Sequence, residues 1–373
     1  MGNKNFEPKK SLFIIFLIFL TLISWLILDF IASNTILKKN EDCYNFEMFY
    51  YELKKNCIGK NRFKSSFPTV DVYTDKYGLR SFKDNKKLNE AKNIFIFGDS
   101  FTFGLGLNYE DTYTGLLEKD LKSYNFYNFA VGSYSPTVHL YKLKQAIQSQ
   151  ILPDKILIFL DLTDIFDEGS RWFINKKDGK PNMPNDDVFQ SSNKKESFKK
   201  KNLKISNEFA ALTNKNLRIL RSKIQNTFKK DNQVSFDVKT SFQGQFTYTK
   251  LSNLNKIFWT EEIFENGLYK IEKNINLISK IAKELKSEFY LIIYPWAETL
   301  EYGQSEFSWS KFGKQLCLNN KCKLIDTIPN FIEYKEYNKN WVNELYFVRD
   351  EHFNKGGAKL ISDSVKKKIV GFE

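Results

Sequence analysis

Ser100 follows the apolar run Asn93-Ile94-Phe95-Ile96-Phe97 and the pair Gly98-Asp99, with Gly104 and Gly106 behind it. A serine where a strand ends can present its hydroxyl at a strand-to-helix turn, with backbone N–H groups facing a developing oxyanion. The second cluster is Asp350-Glu351-His352-Phe353-Asn354-Lys355-Gly356-Gly357, and it holds one of only two histidines in the chain. An aspartate two residues before a histidine can share one side of a turn with it. It can then hold the imidazole in the tautomer that takes a serine proton. Asn354 is placed to cap the helix that follows. Either cluster alone is a modest signal; together, near the two ends of one domain, they point to nucleophilic catalysis by Ser100, His352 and Asp350.

Other chemistries fit less well. Position 102 is Thr, so the nucleophile-elbow pattern Gly-x-Ser-x-Gly is absent. Gly98, Gly104 and Gly106 do not make a dinucleotide fingerprint, and no Gly-Lys-Ser/Thr phosphate loop occurs. Two histidines exclude a His-rich metal site, and no metal or organic cofactor is expected. Asp164 and Asp167 admit a metal-ligand reading, but a helix start with favourable dipole placement is preferred. His139 reads as a structural or surface residue. Ser100 itself has a plainer alternative, as a cap for the next helix.

The elements that would position these residues alternate. Strands are predicted over Asn93 to Phe97, Phe126 to Val131, Lys155 to Leu162, Phe289 to Tyr294 and Lys323 to Ile325. Continuous apolar runs of this length suit strands buried on both faces of a parallel sheet. Helices are predicted over Thr112 to Ser123, from Pro136 through Ile147, and from about Asn354 to Ile369. A further amphipathic helix carries Leu268, Ile271, Ile275, Ile278 and Leu285 on one face. Such alternation predicts an α/β domain with helices on both sides of a parallel sheet. Ligands then gather beyond the carboxyl ends of the strands, where the chemically interesting residues fall.

On four blocks the chain resembles the SGNH (GDSL-type) hydrolase family, in particular its membrane-anchored bacterial members. The blocks are FIFGDSFTFGLG at 95 to 106, NFAVGSYS at 128 to 135, LDLTDIFDE at 160 to 168 and DEHFNKGG at 350 to 357; YGLR at 77 to 80 adds to the likeness. It covers roughly residues 70 to 373 apart from one large insertion, and its first and last blocks are the most specific. The resemblance implies a flavodoxin-like three-layer sandwich with Ser100 as nucleophile, His352 as general base and Asp350 as its orienting acid. It implies an oxyanion hole drawn from Ser100, Gly132, Ser133 and Thr163. Two places depart from the family pattern. Ser133 falls where the second block usually ends in Gly, with Gly132 displaced by one. Thr163 stands where the third block normally offers an Asn amide.

Charge and hydropathy set the surroundings. The 57 Lys+Arg and 44 Asp+Glu give +13, which by itself invites a nucleic-acid or anionic-membrane reading. Residues 194–230 hold twelve Lys/Arg and two Glu, so that stretch supplies +10 and leaves +3 for everything else. It reads as a solvated helical face with Leu203, Phe209, Leu212, Leu217 and Leu220 as apolar contacts, or as a surface for anionic lipid or an acidic glycan. Ser11 to Leu28 carries no charge and would span about 27 Å as a helix. Lys4, Lys9 and Lys10 precede it, as expected of an N-terminus kept in the cytoplasm. An uncleaved anchor at 11–32 is expected, a cleaved signal peptide being the alternative. Either places the bulk of the chain on the periplasmic or extracellular side and disfavours a nucleic-acid partner. Cys43 with Cys57, and Cys317 with Cys322, are spaced for two local disulfides in an oxidising compartment; four unpaired thiols are the alternative.

The expected organisation is a cytoplasmic N-terminus at 1–10, the anchor, a polar, irregular lead-in at 33–90, and an α/β domain at 91–373 with an insertion at about 167–265. The expected function is acyl transfer through Ser100, His352 and Asp350, removing or transferring acyl (acetyl) groups on cell-envelope glycans. The partner would be an acylated carbohydrate or another ester. A non-catalytic relative that binds glycan or a partner protein in the same cleft is the alternative.

Overall fold

The computed structural model describes residues 8–35, 43–47, 50–61, 63, 67–85, 87–183, 206, 261–304, 307–348 and 350–370. The chain divides into two compact units, Met1–Glu41 with Gln190–Val234 and Asp42–Phe189 with Ser235–Glu373. In the first unit, Pro8–Thr35 is one helix. Its stretch Leu12–Ser33, 22 residues at mean hydropathy 2.7, is long and apolar enough to cross a membrane. The basic segment 194–230 lies outside the described residues, Ser206 excepted.

The second unit opens with four short strands, β1 (Tyr44–Glu47), β2 (Tyr50–Leu53), β3 (Ile58–Asn61) and β4 (Val70–Tyr73). They pair antiparallel as two hairpins, β1 with β2 and β3 with β4. The described residues of the lead-in therefore include regular strands, and Cys43 is bonded to Cys57 across them. Its strands were hidden in the sequence because each is four residues long and mixes apolar with polar or charged side chains, giving no apolar run.

The central sheet has five strands: β5 (Lys92–Phe97), β6 (Tyr124–Asn128), β7 (Lys155–Leu160), β10 (Glu288–Ile293) and β11 (Lys323–Asp326). Two-residue strands β8 (Phe173–Ile174) and β9 (Pro181–Asn182) form a small hairpin at the start of the insertion, with Gly179 at positive φ between them. The sheet order is β11-β10-β7-β5-β6 and every neighbouring pair is parallel. Counted by sheet strand this is the 2-1-3-4-5 order of flavodoxin-like folds, whose switch point lies between the first and third strands, β5 and β7. All six residues of β7 are buried, as are the last four of β5 and the last five of β10. These runs need cover on both faces. Tyr113–Asp120 packs with Lys355–Ile369, while Glu261–Glu284 packs with Pro136–Gln148 and with Trp309–Asn320. Cys317 is bonded to Cys322 at the end of the last of these helices.

Two predicted strands run past their observed ends by two residues or more. The strand begun at Phe126 stops at Asn128, whose side-chain Oδ1 accepts the Ala130 N–H at 3.1 Å and turns the chain. The strand begun at Lys155 stops at Leu160, because Asp161 and Asp164 fold the next residues into a turn. Both corrections fall at carboxyl ends of strands.

Candidate active site

β5 delivers Ser100 to the first position of a four-residue helix, Ser100–Phe103. Asp99 caps that helix, its Oδ1 accepting the Phe101 N–H at 2.9 Å, so the capping role open to Ser100 is filled by its neighbour. Gly98 is required by close approach: a Cβ there would meet Thr102 Oγ1 at 1.9 Å. Behind the helix, the guanidinium of buried Arg80 donates to the carbonyls of Phe103, Gly104 (3.0 Å) and Leu107 (2.5 Å). Burial lowers its pKa to about 10, which still leaves it charged at neutral pH. The YGLR segment therefore pins the loop that follows the serine.

His352 arrives from the far end of the chain. Its Nε2 lies 2.8 Å from Ser100 Oγ, and its Nδ1 lies 2.5 Å from Asp350 Oδ1. The same aspartate oxygen accepts the His352 backbone N–H at 3.1 Å, closing the two-residue turn. Asn354 caps Lys355–Ile369, accepting from the N–H groups of Gly356 at 2.8 Å and Gly357 at 3.4 Å. The Phe101 ring stacks on the imidazole at 4.6 Å between centroids, and Phe67 and Phe63 of the lead-in meet it edge-on at 6.2 and 5.9 Å. Burial alone would lower the imidazole pKa. The hydrogen bond to Asp350 and the charges of Glu351, Asp350 and Asp99 outweigh it and raise the pKa above the ordinary 6.5. Asp350, Glu351 and His352 bring ligand-type atoms within 4.8 Å of one another, but both imidazole nitrogens are already engaged.

The side of Ser100 that meets Gly132 is built differently. Gly132 lies against the serine, since a Cβ on it would sit 3.8 Å from Ser100 Cβ. Ser133 holds a left-handed conformation, φ 58°, that a non-glycine residue adopts only when its surroundings enforce it. The backbone N–H groups of Ser100, Gly132 and Ser133 have no acceptor among the described residues. Thr163 bonds to the carboxylates beside it. Its hydroxyl donates to Asp161 Oδ1 and lies 3.3 Å from Asp99 Oδ2, and its N–H donates to the same Asp161 oxygen at 2.8 Å. Asp161 also accepts the Trp296 indole N–H at 2.8 Å. Burial and the neighbouring Asp99 charge raise the Asp161 pKa well above its usual range, and burial raises that of Asp99 despite the nearby His352. Two buried carboxyls thus compete for the Thr163 hydroxyl.

The remaining candidates serve the framework. His139 is fully buried, and burial lowers its pKa to about 3, so it is a neutral structural residue. Asp164 sits in the first turn of Thr163–Phe166 and accepts the Asp161 N–H at 2.8 Å, while Asp167 pairs with Arg171 at 2.8 Å. Glu168 was not singled out in the sequence, yet it caps Pro136–Gln148 from outside. It accepts from Ser135 Oγ at 2.6 Å, Thr137 N–H at 2.5 Å and Thr137 Oγ1 at 2.7 Å. Asp99 and Asp161 were also missed, although Asp161-x-Thr163 is the spacing of a side-chain-to-backbone turn.

No protein-family model and no curated protein matches the chain. Among solved structures it is similar to a mutant of an acetyl-xylooligosaccharide esterase from Geobacillus stearmophilus, at 12% identity and TM-score 0.42, covering 77% of this chain and 98% of that one. It is similar to a member of the lipolytic protein G-D-S-L family from Veillonella parvula, at 11% and 0.40 over 75% and 99%. An acetyl xylan esterase matches at 14% and 0.36 over 73% and 97%. Likeness at these values assigns no residue a role. In its own sheet order, its strand-end serine and its Asp-x-His block, the chain is similar to the SGNH hydrolases.

Proposed function

We propose that the chain is an SGNH-type serine esterase whose nucleophile is Ser100, general base His352 and orienting acid Asp350. The observation that carries this reading is the continuous Ser100–His352–Asp350 hydrogen-bond chain, with Nε2 at 2.8 Å from the hydroxyl and Nδ1 at 2.5 Å from the carboxylate. Ser100 Oγ attacks an ester carbonyl carbon while His352 Nε2 takes its proton, and the carbonyl oxygen becomes an oxyanion facing the N–H groups of Ser100, Gly132 and Ser133. Collapse expels the alcohol, which leaves with the proton from His352, and the acyl group stays on Ser100. Water then releases it as an acid, or a sugar hydroxyl takes it. No step draws on a metal or organic cofactor.

The apolar helix Leu12–Ser33 supports a single-pass anchor in the cytoplasmic membrane, and the two disulfides suit a domain on its periplasmic or extracellular side. An exported esterase meets acylated envelope glycans, which makes these the proposed substrates. The test is turnover of nitrophenyl acetate and of acetylated oligosaccharides by the full chain in detergent, with and without an unacetylated sugar acceptor. Ser100-dependent acetate release supports the esterase, and acetyl appearing on the added sugar shifts the assignment to a transferase. No Ser100-dependent turnover of any of these esters would contradict it.

One observation favours a second reading, a non-catalytic glycan- or partner-binding protein: the Thr163 hydroxyl faces Asp161 and Asp99. Glycan binding that survives in Ser100→Ala, from a parent that turns over no ester, would establish that reading.

A further inference from the structure

The turn at Gly132 and Ser133 is closed by the Tyr134 N–H donating to the Val131 carbonyl at 3.1 Å, and it is also held from outside. Its two carbonyls are gripped from elements distant in sequence. The Tyr51 hydroxyl, on β2 of the disulfide-bonded hairpin, donates to the Gly132 carbonyl, and the Trp172 indole N–H donates to the Ser133 carbonyl at 2.5 Å. Tyr51 is in turn fixed along its backbone, where its carbonyl accepts the Tyr134 hydroxyl at 2.5 Å. The Tyr51 and Trp172 rings pack at 6.0 Å between centroids, tilted by 43°. Burial raises the Tyr51 pKa far above its ordinary value, so the phenol stays a hydrogen-bond donor across the working pH range.

Peptide geometry converts this grip into a statement about catalysis. In a planar trans peptide the carbonyl and the N–H point in opposite directions. Holding the Gly132 carbonyl outward on Tyr51 therefore turns the Ser133 N–H the other way. That N–H has no acceptor among the described residues, and the residue before it lies against Ser100. The Trp172 bond holds the other side of Ser133, whose left-handed φ of 58° sits inside the turn closed by the Tyr134 N–H.

We propose that Tyr51 and Trp172 are positioning residues for the oxyanion hole, acting through the Gly132 and Ser133 carbonyls to aim the Ser133 N–H at the developing oxyanion. The inference rests on the esterase reading above and assigns the lead-in hairpin a part in it. A donor aimed at the transition state affects turnover rather than ground-state binding.

The test compares kcat, KM and thermal midpoint for the full-length parent, Tyr51→Phe, Trp172→Phe and Glu52→Gln on a nitrophenyl ester. Glu52→Gln removes the 2.6 Å ion pair from the same hairpin to Lys142 and leaves the turn untouched. The proposal expects kcat to fall about 10- to 100-fold in Tyr51→Phe, short of the loss of about 100- to 1,000-fold for deleting a donor outright. KM should stay within about twofold, and Glu52→Gln should keep the parent kcat within about twofold. Trp172→Phe should show the same split between kcat and KM. Unchanged kcat in folded Tyr51→Phe and Trp172→Phe would overturn the positioning role alone. So would an equal loss in Glu52→Gln, which would mark general loosening of the hairpin. Absence of Ser100-dependent turnover in the parent would overturn the esterase reading and this role with it.

Discussion

The two sides of the Ser100 hydroxyl are assembled in contrasting ways. On one side, Asp350 and His352 are two residues apart, and a single turn supplies both the carboxylate and the imidazole. On the other, the carbonyls of the turn at Gly132 and Ser133 accept hydrogen bonds from Tyr51, 81 residues from Gly132, and from Trp172, 39 residues from Ser133. The first side offers side-chain chemistry, which a short motif can encode. The second offers backbone N–H groups, whose direction is set by whatever holds the carbonyls. A catalytic site can therefore have a local half and a distributed half, and the distributed half reaches into a segment outside the sheet.

Substitutions that break the local half should have the largest effects. Ser100→Ala should reduce ester turnover by about 10⁵- to 10⁶-fold, to the level left by binding and the oxyanion donors, measured as kcat on a nitrophenyl ester. Asp350→Asn should cost about 10⁴-fold, because the amide no longer holds the required tautomer. It should also change the pH profile. The active form needs a neutral imidazole, and the folded-state pKa is raised, so in the parent kcat/KM falls as pH drops through a value above the ordinary 6.5. Loss of the Asp350 charge should move that limb to lower pH.

On the distributed side the expected effects are smaller. Removing the Cys43–Cys57 bond by a double Cys→Ser substitution should cost about 3 kcal/mol of stability, the entropy of a loop of this size, read from denaturant unfolding. Thr163→Ala should change kcat by less than about tenfold, since its hydroxyl is engaged by Asp161; a loss of about 100-fold or more would show that it serves the oxyanion after all.

The smallest effect on activity is expected at the opposite end of the sheet. Partial burial works against ionisation of Glu288, but hydrogen bonds from Lys155, Lys323 and Tyr290 outweigh it and lower the pKa to about 2. A carboxyl depressed in the folded state contributes stability above its unfolded pKa of about 4.3 and loses it as pH falls toward the folded value. Glu288→Gln should flatten the acid limb of the stability curve between those values and leave kcat at neutral pH unchanged.

Much of this was legible in the sequence for identifiable reasons. β5, β7 and β10 are buried on both faces and read as apolar runs, so the parallel sheet followed from pattern alone. Ser100, Asp350, His352 and the Asn354 cap stand out because each lies within a few residues of the element that positions it. The lead-in hairpins did not, because their four-residue strands are too short to show a pattern and mix buried apolar side chains with polar ones. Tyr51 and Trp172 were invisible for the same reason: no local pattern says which carbonyl a buried phenol or indole will reach. The partner of the Thr163 hydroxyl was not read from the family pattern, although the aspartate two residues before it is a local signal of where that hydroxyl turns.

The central claim, that Ser100 is a nucleophile activated by His352, is tested most directly by intact-mass analysis after treatment with a fluorophosphonate. The account predicts one adduct on the parent, mapped to Ser100, absent in Ser100→Ala and strongly slowed in His352→Ala. A folded parent that forms no adduct, or one whose adduct persists in Ser100→Ala, would contradict it.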